Sequence, residues 1–378
     1  MRTIVYIGGE FPDKDASALR ILSNCKAIRE IGYNVVVISP TMASDKIAVG
    51  KENYQGFDVY YYAYPQSIKQ WFKELYTIEP FTKVIDKLDS VHGIICYNHH
   101  AVSLISLIRY YHRRNVKVYA DTTEWHTTDH LPFIKRIIKD CNTRLRILYA
   151  QKKTDGIIVI SKFFADLYKN QKNVIIVPPL IDTDEKKWIR NCYKSPVRTF
   201  SYTGRIGIGK DQLNYCIEAF HSICSQYEFR LNIIGCTKDE YLKQFPEDAI
   251  MIDDLGDKIF FKGYCSHLDA LDVTKHSDFS FLIREHNRKT DSGFPTKLGE
   301  SIACGTPVLA TDFSNVKDYV EKYGIGIMID KDKIEEAIVK IINMSDKELL
   351  ELKKSCQSCK AFDYRNYTNT FMNFLNNN

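Results

Sequence analysis

Short apolar runs separated by helical stretches recur in two series along the chain, and this recurrence fixes the class of fold. Thr3–Ile7, Val35–Ser39, Phe57–Tyr61, Gly93–Tyr97, Val116–Ala120, Gly156–Ile160 and Val174–Val177 form the first series. A strand with one wet face alternates apolar and polar residues. These runs are short and apolar on both faces, which predicts a mostly parallel sheet covered by helices on each side. Between them, Ala18–Ile31 places Leu19, Leu22, Ala27, Ile28 and Ile31 on one broad helical face. Residues 68–88 read as a long helix with a break at Pro80.

Pro178 and Pro179 end the first series, and the polar stretch at 182–196 reads as a linker. The second series follows: Thr199–Thr203, Phe229–Ile234, Ile259–Phe261, Phe279–Leu282, Val308–Ala310 and Gly326–Ile329, with helices expected at Gln212–Cys224, Leu268–His276, Lys297–Cys304, Asn315–Lys322 and Lys333–Ile342. The expected domains are therefore 1–185, completed by a C-terminal helix at 358–378, and 196–357. Two doubly wound sheets facing across a cleft make the carboxyl ends of their strands the default ligand site.

Composition adds exclusions. Lys plus Arg number 52 against 47 Asp plus Glu. An excess of five charges is too small to imply a nucleic-acid partner on its own, and no aromatic interleaving accompanies the basic residues. No run of 18 apolar residues predicts a spanning helix, and the N-terminus lacks the apolar stretch of a secretory signal. The 11 cysteines, with Cys25, Cys96, Cys192, Cys216, Cys236 and Cys304 in or beside apolar segments, read as reduced thiols of a cytoplasmic protein rather than as zinc ligands.

Five segments carry candidate chemistry. The turn after the first strand, Gly8-Gly9-Glu10-Phe11-Pro12, brings backbone close to a ligand at Gly9 or is a plain tight turn; it is not a dinucleotide fingerprint. The loop opening the second domain runs Gly204-Arg205-Ile206-Gly207-Ile208-Gly209-Lys210-Asp211 between a strand and a helix. Backbone N–H groups there can face an anion, with Arg205 and Lys210 adding two cations. The alternative is a solvated basic turn. The third segment follows the Phe279–Ile283 run. Arg284, a candidate ligand contact, and a polar loop lead through Ser292, Gly293, Phe294, Pro295 and Thr296 into a helix bearing Lys297 and Glu300. A carboxylate accepts hydrogen bonds from two hydroxyls at once, as a ribose diol requires. Read as pattern alone, the segment is also compatible with a polar loop and surface helix.

Fourth, Asp121, Thr122, Thr123, Glu124, Trp125 and His126 follow a strand, so three titratable side chains sit near its carboxyl end. Turn chemistry with an exposed histidine is the competing reading. Nearby, Asn98 is a candidate cap for the helix starting near His100. Fifth, 135–153 holds Lys135, Arg136, Lys139, Arg144, Arg146, Lys152 and Lys153 against Asp140, interspersed with Ile134, Ile137, Ile138, Leu145, Ile147 and Leu148. A basic amphipathic helix of this kind can lie on an anionic membrane or can be the solvated back of a soluble helix.

The stretch GFPTKLGESIACGTPVLA, Gly293–Ala310, resembles the signature of retaining family 4 glycosyltransferases with the GT-B fold, glycosyl transferases group 1. Gly204-Arg205 followed by Lys210 matches the same family's loop, and Phe260-Phe261-Lys262-Gly263-Tyr264 matches its short strand ending in glycine. The resemblance covers the second domain; the first is similar mainly in organisation. It implies a sugar transferase using a nucleotide diphosphate sugar, with a UDP-sugar placed ahead of a GDP-sugar and no metal or other cofactor. The same likeness points to a glycan or polyprenyl-diphosphate-linked acceptor in bacterial capsule, O-antigen or exopolysaccharide synthesis, at the inner face of the cell membrane. Arg205 and Lys210 would bind the diphosphate, Glu300 the ribose diol, and backbone at Gly293–Thr296 the sugar and phosphate, with Lys297 adding charge.

Two departures stand out. Eight positions before Glu300 the family has a glutamate and this chain has Ser292. Where relatives carry an Asp-x-His-Glu-like stretch, Asp121-Thr122-Thr123-Glu124 has threonine in the histidine position, with His126 three residues further on. These motivate two alternatives: a catalytically silent nucleotide-sugar-binding partner, and a GT-B epimerase or hydrolase.

Overall fold

The structure, a computed structural model, describes residues 2–12, 16–125, 128, 131–189, 195–206 and 209–377. The chain divides into two compact units: Met1–Ile181 with Phe362–Asn378, and Asp182–Ala361.

The first unit holds eight strands: β1 (Thr3–Ile7), β2 (Asn34–Thr41), β3 (Lys51–Tyr54), β4 (Phe57–Ala63), β5 (Val91–Tyr97), β6 (Lys117–Thr122), β7 (Gly156–Val159) and β8 (Val174–Ile176). Their order is β3-β4-β2-β1-β5-β6-β7-β8, parallel except for β3 against β4. Burial of β1 along its whole length explains its unbroken apolar sequence. The chain turns outward from β1 to β2 on one side and β5 on the other, so the topological switch point lies between β1 and β5.

The antiparallel β3–β4 hairpin was not expected. Its turn residues Gln55 and Gly56 both have positive φ, matching the two-residue turns that suit strand twist. The edge strand Lys51–Tyr54 alternates exposed and half-buried residues and lacks the apolar signature of the others.

The C-terminal segment belongs to this unit. Ile181 bridges Asp363, and Tyr364, Phe371, Phe374 and Leu375 are buried in the same apolar cluster as Ile4, Tyr6 and Tyr119. Phe374 lies 5.0 Å from the Tyr119 ring. A Cβ on Gly156 would come within 2.7 Å of the Phe374 ring, so glycine there makes room for the returning helix.

Two expected helices differ from the sequence pattern. Residues 68–88 form two short helices, Ile68–Glu74 and Glu79–Ile85, with Pro80 in the first turn of the second, where its missing N–H does no harm. The basic stretch is an α-helix only over Phe133–Leu145. It continues as a π-turn, Arg146–Ala150, and a 3₁₀ turn, Gln151–Lys153.

The second unit has six parallel strands: β9 (Arg198–Thr203), β10 (Phe229–Ile234), β11 (Ile259–Phe261), β12 (Phe279–Leu282), β13 (Val308–Thr311) and β14 (Gly326–Ile329). The order β11-β10-β9-β12-β13-β14 puts its switch point between β9 and β12. Phe200, Phe220, Phe281 and Leu309 are fully buried in its core. The described part of the expected linker belongs to this unit. Its 3₁₀ turn, Lys186–Trp188, is pinned by the Trp188 indole N–H donating to the Asp182 carbonyl at 2.6 Å.

Candidate functional site

In the second unit, three loops meet beyond the carboxyl ends of β9, β10 and β12. Gly204 ends β9 with φ 133°, and Gly235 ends β10 with φ 101°. A Cβ on Gly235 would lie 2.5 Å from the Gly204 carbonyl oxygen, and a Cβ on Gly204 would lie 2.5 Å from the Lys297 ammonium. Side-chain-free backbone at both positions is therefore a packing requirement, and it leaves the Lys297 amine against the β9 loop.

Asp211 organises the charges there. Its carboxylate accepts from Arg284 Nε at 2.6 Å, Lys297 Nζ at 3.0 Å and the Tyr202 hydroxyl at 3.0 Å. Lys297 also lies 4.3 Å from the centre of the Tyr202 ring, and Arg284 lies 5.1 Å from that of Phe313. Burial alone would raise the Asp211 pKa; the charges and hydrogen bonds of Lys297 and Arg284 overcome it and hold the carboxyl well below the usual carboxylate range. Burial lowers the Lys297 pKa, Asp211 opposes that, and the charges of Arg284 and Lys210 add to the lowering. A buried arginine and a part-buried lysine thus share one buried carboxylate, while Lys210 adds charge from the loop that ends at Asp211.

The remaining predicted residues are distributed as follows. Arg205 is exposed, its guanidinium 5.7 Å from the Tyr264 ring centre. Gly207 and Ile208 lie outside the described residues. Arg284, expected as a ligand contact, is buried in the Asp211 pair instead, with its backbone N–H and carbonyl both bonded to the Thr311 hydroxyl. Ser292 is fully buried, its hydroxyl 3.5 Å from the Lys289 carbonyl. Phe294 packs edge-on against Tyr319, and the Gly293 carbonyl accepts from Ser314. Pro295 precedes the first turn of the helix Thr296–Ala303, which carries Lys297 and Glu300. Glu300 is part-exposed and its carboxylate lies 3.0 Å from the His267 ring nitrogen Nε2.

In the first unit, Gly9 has φ 68°, and a Cβ there would come within 2.4 Å of Ile21, so this turn serves helix packing. Asp121, expected as a catalytic candidate, is fully buried. Arg20 spans both its oxygens, with Nη2 2.7 Å from Oδ1 and Nε 3.0 Å from Oδ2, and Tyr6 also donates to Oδ2. Burial, then the Asp121 charge, push the Tyr6 hydroxyl pKa well up. Arg20 also donates to the Val177 carbonyl at 2.8 Å, anchoring the end of β8. This is a structural ion pair beneath the loop rather than a group facing solvent.

The loop itself is held by Asn98 and Arg146. The Asn98 amide donates to the Thr123 hydroxyl at 2.7 Å and its carbonyl oxygen accepts from the Thr123 N–H at 3.2 Å. Arg146 donates to the Asn98 carbonyl at 2.8 Å and to the Glu124 carbonyl at 3.1 Å. Burial lowers the Arg146 pKa to about 10. Asn98 does not cap the helix Ala101–His112. The Asn142 side chain accepts from the Ala101 N–H at 3.0 Å instead. Glu124 is half-buried, and His126 lies outside the described residues. Burial holds His99 neutral, lowering its pKa to about 3. Among the described residues no three His, Cys, Asp or Glu side chains are grouped so as to hold a metal ion, although Cys356 and Cys359 are three positions apart.

The family model described as Glycosyl transferases group 1 matches residues 183–363, a span that holds the whole of this charged site. The second unit is a glycosyl transferases group 1 domain. The glycosyltransferase unit and the first unit together have the GT-B fold. Over 98% of both chains, the structure is similar to sucrose-phosphate synthase from Thermosynechococcus elongatus, with TM-score 0.69 and 15% identity. The Anabaena protein Alr3699/HepE in complex with UDP matches over 99% of both chains, with TM-score 0.68 and 13% identity. A glycosyltransferase from Rickettsia africae matches over 100% of this chain and 99% of its own, with TM-score 0.69 and 12% identity. No curated protein sequence matches the chain.

Sequence alone assigns no role to Asp211 or His267, and it reads Asn98 as a helix cap and Arg146 as part of a basic helix rather than as the pair that holds the Thr123 loop. Asp211 directly follows Lys210, and an acid ahead of a helix reads as a cap. Its partners are 73 and 86 positions away and carry no local signal.

Proposed function

We propose that the chain is a retaining glycosyltransferase that moves a sugar from a nucleotide diphosphate sugar to a hydroxyl of a glycan or polyprenyl-diphosphate-linked acceptor in bacterial surface-polysaccharide synthesis. One observation carries the reading. The switch point of the glycosyltransferase unit gathers Arg284 and Lys297 on a single carboxylate, with Lys210 and Arg205 on the adjoining loop and glycine backbone close by. Such a surplus of positive charge suits a diphosphate. The similarity to a protein solved in complex with UDP supports a uridine nucleotide.

In the reaction, the bond from the anomeric carbon to the β-phosphate oxygen breaks and the acceptor oxygen bonds to that carbon on the same face. The acceptor proton passes to the departing phosphate oxygen. Lys297, Lys210 and Arg205 stabilise the negative charge growing on that phosphate. Glu300, one turn into the helix, takes the ribose diol. The first unit serves the acceptor through the loop at Thr123 and Glu124. In the basic segment Lys135–Lys153, the cations other than the buried Arg146 favour contact with an anionic membrane surface, the place of a lipid-linked acceptor.

A panel of UDP- and GDP-sugars titrated by calorimetry, followed by donor turnover with and without a polyprenyl-linked acceptor, tests the reading. Binding and acceptor-dependent turnover are expected. Binding without turnover favours the silent partner, a reading motivated by buried Ser292 in the position of the family's glutamate. Failure of every donor to bind removes the site assignment. Arg205→Ala and Glu300→Ala are each expected to weaken donor binding by about 1 kcal/mol or more, the worth of a hydrogen bond to a charged group. Wild-type affinity and rate in both variants would remove those roles.

A further inference from the structure

We infer that the membrane-facing surface has a second half, the helix Ile68–Glu74 with Tyr76, which inserts into the same anionic lipid surface as the basic helix Phe133–Leu145. This rests on the membrane reading above and names its partner, a bilayer carrying anionic headgroups.

The helix Ile68–Glu74 has no buried residue, although it carries Ile68, Trp71 and Phe72. Ile68 is 61% exposed and Phe72 43%, and the Trp71 and Phe72 rings meet edge-on at 5.2 Å. An amphipathic helix normally hides its apolar stripe against a core, so an uncovered stripe needs a partner. The basic helix repeats the feature: Phe133 is 76% and Ile134 70% exposed.

Both helices are tied to the start of a third, Ala101–His112. His100, which precedes the helix Ala101–His112, lies 3.8 Å from the Glu74 carboxylate at the end of the first helix and 3.2 Å from the Asn142 amide of the second. The Ser103 N–H donates to the Leu75 carbonyl at 3.1 Å, and the Ala101 N–H to Asn142 at 3.0 Å. One helix start therefore holds the C-terminal parts of both helices at the same end of the sheet.

Charge selects the occupant. Lys69 and Lys73 flank the aromatic pair, and Lys135, Arg136, Lys139 and Arg144 surround Phe133, Ile134 and Ile137. The opposing acids are engaged locally. Glu79 is shared between Lys73 at 3.7 Å and Lys83 at 2.8 Å, Glu74 turns toward His100, and Asp140 accepts from the Thr128 hydroxyl and lies 3.9 Å from Arg144. Apolar side chains ringed by lysine and arginine fit acyl chains beneath anionic headgroups, and a tryptophan among them suits the headgroup boundary.

Tryptophan supplies the test, because the chain has only Trp71, Trp125 and Trp188. In the full chain carrying Trp125→Phe and Trp188→Phe, Trp71 emission is expected to shift to the blue on vesicles containing phosphatidylglycerol. It should also be quenched there by brominated lipid, with neither effect on phosphatidylcholine alone. Because Trp188 is buried and its loss can unfold the chain, a second arm uses Ile68→Asp with Phe72→Asp in the otherwise natural chain. Flotation with the anionic vesicles is expected to fall at least tenfold, as it should for Phe133→Asp with Ile134→Asp. Natural chain that floats with an unquenched Trp71 and an indifferent Ile68/Phe72 pair overturns the second half while leaving the basic helix as the contact. Absence of flotation overturns the membrane reading and this inference together. A dimer in sedimentation that the Ile68/Phe72 substitutions abolish assigns the surface to a second copy and overturns the lipid.

Discussion

Lys297→Met is expected to leave the chain folded and to reduce sugar transfer on the order of 10²- to 10³-fold, the usual consequence of deleting one group that stabilises a developing oxyanion. Methionine matches the aliphatic length of lysine and fills its place over the Tyr202 ring without the ammonium. Asp211 keeps Arg284 at 2.6 Å and the Tyr202 hydroxyl at 3.0 Å, so no buried charge is left alone. What disappears is the cation held against Gly204 at the end of β9. In the proposed reaction that cation acts as the phosphate departs, so the loss should fall on kcat more than on donor affinity. Steady-state kinetics beside calorimetric donor titration separates the two. Turnover within threefold of the natural chain would remove Lys297 from the reaction and leave it as a partner of Asp211 alone.

The fold was legible because its strands are buried on both faces. An apolar run such as Thr3–Ile7 has no alternative as a surface element, and the order of runs and helices implies parallel pairing. The β3 edge was illegible because a strand with one wet face and a Gln-Gly turn carries a weak signal. At the site, the motif residues marked loops that the structure brings together around Asp211, but not which of their side chains pair with one another. Arg284 looked like a ligand contact because arginine in a polar loop is normally solvated; a carboxylate 73 positions earlier makes it a buried partner. Asp121 misled for the same reason, since its partner Arg20 sits 101 positions away. Arg146 was hidden in a basic run whose period suggested one continuous helix. The π-turn rotates it inward, onto the carbonyls of Asn98 and Glu124. Long-range charge pairing leaves no periodicity, so sequence located these residues without telling which face water and which face each other.

Asp211→Ala is expected to destabilise the glycosyltransferase unit by about 3–5 kcal/mol, because removing one partner of a buried ion pair strands the others without compensation. Arg284 would remain buried and Lys297 part-buried, facing each other with like charge. Urea denaturation of the two proteins measures the cost, and a midpoint shift worth less than 1 kcal/mol would contradict it. Acid titration provides an independent check. The Asp211 carboxyl is held below its unfolded value, so its stabilisation is fully present above that value, about 4, and is lost as pH falls through the lower folded value. The stability gap between the natural chain and Asp211→Asn, which cannot ionise, should stay constant from neutral pH down to about 5 and narrow below about 4. The sharpest comparison joins the two substitutions. If Asp211 stabilises the unit chiefly by neutralising Lys297, adding Lys297→Met to Asp211→Ala removes a stranded charge and recovers part of the lost stability, a coupling of opposite sign to simple addition. Strictly additive losses would mean that Asp211 acts through Arg284 and Tyr202, and that Lys297 is held in place by packing on Tyr202 and Gly204.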